Sequence, residues 1–365
     1  MTMHLYFARR FLVYFLGLTA IFFILLVLFD LMEQLRRFSV QELGIVRILQ
    51  MLVLNVPKEL YQIFPLIMIL SSLVLFLNLA RSSELIVARA SGRSGLLILL
   101  APVSVALGIG LFGVTTMNPI VAATTKQYDQ LALFYRTGAS RAISIGSTGL
   151  WLRQGGEDGQ TVIYAHGSNH DASVLVDVDF VTYGDGGGPS QRIRAAQAEL
   201  RSGEWLLTDA KIWPLDRGIN SEAQSETRAK MTVSTTLTSD QIRDSFGKPR
   251  AVSVWELPKL IDQLEEAGFS ARRHQMWLQL ELSQPVFLVA MVLVAAAFTM
   301  GHTRMGRTGL MSLAATLSGF GLYYIRNFAR ILGENGQIPI ELAAWAPPLA
   351  SVLLALGLVL HMEDG

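Results

Sequence analysis

Cysteine is absent from all 365 residues. No disulfide, thiolate metal site or cysteine nucleophile is available, and the compartment stays open, because an oxidising space permits disulfides without requiring them. Charge is also scarce: 16% of the residues are charged, against about a quarter in an ordinary soluble domain. A net charge of +1 gives no overall field toward nucleic acid. No G-x-x-x-x-G-K-S/T nucleotide loop, no H-E-x-x-H pair and no framed serine nucleophile occurs. His166 and His170 are four apart, but on a predicted strand-to-loop stretch that spacing does not converge two imidazoles. Surface histidines are the better reading there than a metal pair. Nothing implies a cofactor.

What is present is apolar. Hydrophobic residues make up 51% of the chain and the mean hydropathy is +0.40, too polar for a chain that is all membrane. Six segments carry the roughly 20 apolar residues that cross about 30 Å of hydrocarbon: Phe11 to Phe29, Leu60 to Ala80, Leu96 to Met117, Leu282 to Met300, Gly309 to Ile325 and Leu342 to Leu360. Arg9 and Arg10 precede the first like the start of a signal peptide. Its apolar core is too long, however, and no small-residue cleavage site follows, so it reads as a retained span.

Between the third and fourth spans the period changes. Thr161 to Ala165, Ser173 to Val181 and Lys230 to Leu237 alternate apolar and polar residues, as half-buried strands do. Gly155-Gly156, Asp158-Gly159, Gly184 to Gly188 and Arg201 to Gly203 supply turns. Short strands with polar turns predict an all-β sandwich. A helical return follows from Val254 to Ala267, with Leu257, Leu260, Ile261 and Leu264 on one face. The fold class is a polytopic α-helical membrane protein with six transmembrane helices and an inserted all-β domain. Its parts are residues 1–125, 126–275 and 276–365, with both termini on one side.

Orientation barely follows from the basic residues. Arg9, Arg10, Arg81, Arg89, Arg93, Arg304 and Arg307 fall on one side; Arg36, Arg37, Arg47, Lys58, Arg326 and Arg330 fall on the other. Lys126, Arg136, Arg272 and Arg273 add to the β-domain side. That excess suggests something anionic near this membrane surface. The span interiors are nearly free of ionisable groups: Asp30 and Glu33 end the first span, and Asn78 lies near the end of the second. This disfavours an ion-coupled transporter or an intramembrane enzyme.

The loop from Arg81 to Gly92 reads as a short helix, capped by Ser82 or Ser83 and ended by Gly92. Glu84, Ala88 and Ser91 share one face, which suits either a solvated linker or a small-residue docking surface.

This segment, Arg81-Ser-Ser-Glu-Leu-Ile-Val-Ala-Arg-Ala-Ser-Gly92, resembles the coupling helix of the permease subunits of the lipopolysaccharide export ABC transporter, the LptF/LptG family. Val56 to Leu60, Phe64-Pro65, Gly149 to Arg153, Gln275 to Trp277 and Gln284-Pro285 match in the same order, and the three-β-three plan matches over essentially the whole chain. The Gly-Leu-Trp stretch, Gln284-Pro285 and the Arg-Ala-Ser-Gly ending look more like the G-type subunit. The resemblance implies a bacterial inner-membrane protein with a periplasmic β-jelly roll. It implies an LptF-type permease homologue, an LptB-type ATPase dimer and an LptC-type single-span protein as partners, and lipopolysaccharide as cargo. ATP hydrolysis would belong to a separate subunit, so the chain itself would be no enzyme. Glu84, Ala88, Arg89 and Ser91 would dock the ATPase. Arg36 and Arg37, with Lys126 and Arg136, would meet the phosphorylated headgroup. Asp30 stands where some relatives carry Lys, and Asp129 where they carry Arg. A membrane scaffold for an envelope complex is the alternative, but a scaffold needs no ATPase dock.

The job has a physical logic. A buried CH₂ holds about 0.8 kcal/mol, so an acyl chain of about a dozen carbons holds about 10 kcal/mol. Extracting a many-chained lipid needs an external energy source, and this chain has no nucleotide site.

Overall fold

A computed structural model describes residues 2–37, 44–82, 84, 95–137, 144–146, 149–156, 159–168, 173–183, 188–201, 203–215, 220–235, 237, 248–266, 270–300 and 308–364. The chain divides into two compact units. A helical unit comprises Met1–Ala132, Arg250–Trp255 and Gln275–Gly365; a second comprises Leu133–Pro249 and Glu256–His274.

The helical unit begins with α1 (Thr2–Arg37). Then come α2 (Ile45–Gln62) and α3 (Phe64–Arg81), separated by a break at Ile63. The break falls where Pro65 enters the first turn of α3, a position that tolerates proline because its N–H would be unpaired anyway. Sequence periodicity gave no warning of α2. Its apolar residues lie on both sides: Ile48, Met51, Leu52 and Val56 are buried, while Ile45, Val46, Leu49 and Val53 are exposed. α4 (Gly95–Phe112) runs through a π-helical turn at Gly113–Met117 into α5 (Asn118–Thr137). The expected third span therefore continues well past Met117. After the β-rich unit come α7 (Arg272–Thr299), α8 (Thr308–Glu334) and α9 (Ile340–Asp364).

Among the described residues, five helical stretches are long and apolar enough to cross a membrane: Met3–Arg37, Phe64–Arg81, Gly95–Ala132, Arg272–Thr299 and Ile340–His361. They cover five of the six expected spans. The remaining one, Gly309 to Ile325, lies within α8, where Ser, Thr, Gly and Tyr dilute the apolar residues.

Gly110 sets helix spacing in this unit: a Cβ there would stand 2.5 Å from the Pro285 Cα. Phe76, Ile67, Met68, Phe287 and Met291 lie in the core of this unit.

The second unit holds seven antiparallel strands in sequential order, β1 (Ser144–Gly146), β2 (Gly149–Gly156), β3 (Gly159–Ser168), β4 (Val174–Tyr183), β5 (Pro189–Arg201), β6 (Glu204–Pro214) and β7 (Glu226–Ser234). The helical return is α6 (Leu257–Glu266). The strands form one meander that creases. Pairing passes from Ala165–Val178 to Gly167–Val176, and from Ala195–Ala210 to Gln197–Thr208, so a rung is missed at Asp177 and at Asp209. Both aspartates have positive φ, 48° and 53°, a region Asp tolerates better than most residues. The crease explains one contact. Phe180 shares a rung with Ile193 and, through it, Ile212. Trp205 lies seven residues back along β6, which at about 3.3 Å per residue is about 23 Å on a flat sheet. The two rings nevertheless meet edge-on at 6.4 Å. The sheet must fold over on itself, which turns one meander into a two-layered core around fully buried Trp205, Phe180 and Leu175.

Candidate functional site

Glu281 is the most unexpected residue of the helical unit. Placing the fourth span from Leu282 left it outside, but α7 begins at Arg272, and Glu281 is 4% exposed. Its Oε2 accepts a hydrogen bond from the Tyr61 hydroxyl at 2.6 Å, and Asn118 hydrogen-bonds to it as well. Tyr61, at the end of α2, reaches it past Gly113 of the π-turn, where a Cβ would sit 3.3 Å from the phenol ring. Arg326 of α8 interacts with the carboxylate electrostatically. Its guanidinium bonds to the Gln284 side chain and, at 2.8 Å, to the Leu280 carbonyl, and it lies 4.5 Å from the Phe287 ring. A buried carboxylate and a buried guanidinium thus tie α2, α5, α7 and α8 together. The apolar windows read from the sequence are free of charge; the helices that contain them are not.

This centre forms one wall of a cavity of about 100 Å³, also lined by Lys58, Arg250, Trp277 and Arg330. Arg250 belongs to a short strap, Arg250–Trp255, that packs within the helical unit. It donates to the Gln62 side chain at 3.2 Å and lies 5.1 Å from the Trp277 ring. The far end of the strap is fastened to the π-turn region. The Val254 N–H donates to Asn118 Oδ1 at 2.8 Å, and the Trp255 indole donates to the Thr115 carbonyl at 3.2 Å.

A second polar centre surrounds Glu84. Arg10 of α1 donates to both of its carboxylate oxygens, at 2.8 and 3.0 Å, and Ser82 donates at 2.8 Å. Tyr6 and Tyr14 each accept a hydrogen bond from Arg10, at 2.8 and 3.1 Å, and Asn78 of α3 donates to Tyr14 at 3.2 Å. Burial pushes the Glu84 carboxyl up, but the bonds from Arg10 and Ser82 outweigh it and hold the group below its ordinary value. The sequence placed Glu84 on a docking face with Ala88 and Ser91; the structure adds Arg10. Ala88, Arg89 and Ser91 lie outside the described residues.

The expected headgroup residues lie on α1 and α5. Arg36 and Arg37 end α1, and both pair with Glu33, at 2.9 and 2.6 Å, so one acid answers two cations. Lys126 is exposed on α5. Arg136 is near the end of α5, and its side chain is outside the described residues. Beside the arginine pair, Asp30 accepts from Asn55 at 2.8 Å and from Gln34 at 3.1 Å, and Gln34 donates to Tyr128 at 3.0 Å. That chain fastens α1 to α2 and α5. His166 packs near the Tyr164 hydroxyl, and no group of three or more metal-ligating side chains occurs among the described residues.

Sequence comparison supplies what geometry alone does not. Residues 5–361 match the family described as the lipopolysaccharide export system permease LptF/LptG. The chain is 26% identical over 321 residues to the lipopolysaccharide export system permease protein LptG of Escherichia coli strain K12, covering 84% of both chains. It is 25% identical over 321 residues to the protein of the same name from Haemophilus influenzae, covering 85% of both. With five membrane-competent helices, an inserted β-unit and a match along nearly its whole length, the chain belongs to the LptF/LptG family of lipopolysaccharide export permeases.

Proposed function

We propose that this chain is the G-type permease half of an ABC exporter that extracts lipopolysaccharide from the inner membrane and hands it to a periplasmic bridge. Its partners in this reading are an LptF-type homologue, an LptB-type ATPase dimer and an LptC-type single-span protein. α8 makes the sixth crossing; its exposed Leu310, Leu313, Leu317 and Phe320 support a lipid- or partner-facing helix. The folded meander is the jelly-roll-like domain, placed in the periplasm with both termini in the cytosol. The chain hydrolyses no ATP. Glu84, Ala88, Arg89 and Ser91 dock the ATPase, and Arg36, Arg37, Lys126 and Arg136 meet the headgroup.

The observation that carries the reading is the two-pronged Arg10–Glu84 pair. It ties the acid of the docking loop to α1, whose most apolar stretch is only 11% buried within this chain. A force applied at Glu84 would therefore reach a helix with a large free apolar face. Expression with the three partners tests this. Glu84→Ala should insert and pair with the second permease, yet retain much less ATPase on purification and lose transport. Normal transport by that variant would remove the coupling role.

A further inference from the structure

The cavity beside Glu281 is rich in donors and poor in acceptors. Four cations stand in its wall against one carboxylate, and one oxygen of that carboxylate already accepts the Tyr61 hydroxyl. Glu334 is 3.8 Å from Arg330 Nε, an ion-pair distance rather than a hydrogen bond. The excess of positive charge lining the cavity therefore favours an anion. The cavity's volume exceeds the roughly 10–15 Å³ of one water-sized probe several times over, which leaves room for a small anionic substituent. An acyl chain would leave that charge unanswered. Arginine suits phosphate because its planar fork donates two parallel bonds.

The strap bears on selectivity. Arg250 is the one of these cations outside the long helices: it sits in a 3-10 turn, Pro249–Ala251, and the strap that follows is anchored at Val254 and Trp255. The Thr115 carbonyl that receives Trp255 lies in the π-turn, a distortion that recurs at functional sites.

We propose that this cavity is an anion subsite for a phosphate group of the exported glycolipid headgroup, and that Arg250, delivered by the Arg250–Trp255 strap, sets its preference for phosphorylated headgroups. The inference rests on the lipopolysaccharide reading above and adds, to the contact at the end of α1, a second phosphate contact at Arg250, Arg326 and Arg330.

The test uses the full chain assembled with its partners in nanodiscs. Binding of bisphosphorylated and monophosphorylated lipid A with the same acyl chains is measured by native mass spectrometry, with inorganic phosphate as competitor. Wild type should favour the bisphosphorylated form, and Arg250→Gln should cut that preference about tenfold, the effect of losing one charge-assisted bond. Trp255→Phe keeps every charge and most of the aromatic surface but removes the anchor bond; it should cut the preference about threefold. If Arg250→Gln fails to assemble, Arg250→Lys takes its place, and the lost planar fork should still lower the preference. An unchanged ratio in the assembled variants would overturn the subsite. So would inorganic phosphate displacing the lipid at low concentration, which would make this a free-phosphate site. Failure of wild type to bind either lipid would count against the export reading itself.

Discussion

Around Glu281 a carboxylate that is 4% exposed receives a tyrosine hydroxyl and faces an arginine held by Gln284 and Leu280. On the β-sheet, Arg192–Asp179, Arg194–Asp177 and Arg228–Glu226 pair at 2.9 Å, all partly or well exposed. The residue types are the same and the consequences opposite. Exposed pairs contribute typically about 0–1 kcal/mol, because water solvates the separated partners nearly as well. Glu281 and Arg326 interact through their charges, and in a buried site removing one leaves the other uncompensated. The sheet can lose a pair and keep its shape, whereas the helical unit is committed to its charges. Such commitment is expected where charge is retained for a task rather than for stability.

The sharpest way to break the comparison is Glu281→Ala. Arg326 would face the cavity without its carboxylate, and Tyr61 would lose its acceptor. We expect a loss of about 3–5 kcal/mol in the stability of the helical unit, read as earlier thermal unfolding of the detergent-solubilised complex. Glu281→Gln should lose less, because its amide oxygen still accepts from Tyr61. If Glu281→Ala unfolds with wild type, Arg326 reaches another acceptor and the centre is as dispensable as the sheet pairs.

Arg36 and Arg37 occupy the ground between the two regimes. Both are exposed and share Glu33, so the double change to Glu should alter stability by only about 1 kcal/mol, including the unfavourable acids in the last helical turn. Assembly with the partners should survive. Lipopolysaccharide crosslinking at the end of α1 should still fall severalfold, since the headgroup path loses two cations and gains two acids. Undiminished crosslinking and export would make the pair an interfacial anchor and leave headgroup recognition to the cavity.

How far these features were legible depends on their range. The alternation in Ser173 to Val181 announced a strand because period two is local, and β4 follows it. The crease was not legible, because it depends on Asp177 and Asp209 adopting positive φ on strands two apart. α2 was missed because Arg47, Gln50 and Asn55 interrupt its apolar run, and Pro57 within it reads as a breaker. Glu281 and Arg326 were each one residue beyond the predicted span limits. Hydropathy finds where the apolar run stops, whereas the helix continues as long as its backbone bonds do. Glu84 was found from its motif, but Arg10 was not: 74 positions separate the two, and no local pattern links them.

The smallest expected effect belongs to Glu222. The Lys211 ammonium donates to its Oε1 at 2.5 Å and the Trp213 indole to its Oε2 at 2.7 Å. The lysine first, then the indole, hold the carboxyl below its ordinary value. A carboxyl whose folded-state value is depressed stabilises the fold above its unfolded value, near 4.3. That contribution fades as pH falls through the folded value, because below both values the two states bind the same proton. Glu222→Gln removes the charge and keeps an oxygen for the indole. Its melting temperature should be slightly below wild type at pH 7, and the gap should close as the pH falls below about 4. The carboxylate is fully open to water, so added salt should narrow the gap at pH 7 as well. A gap independent of both pH and salt would mean that Glu222 acts through the shape of its turn rather than its charge. The sheet would then rely on packing even where its ion pairs are shortest.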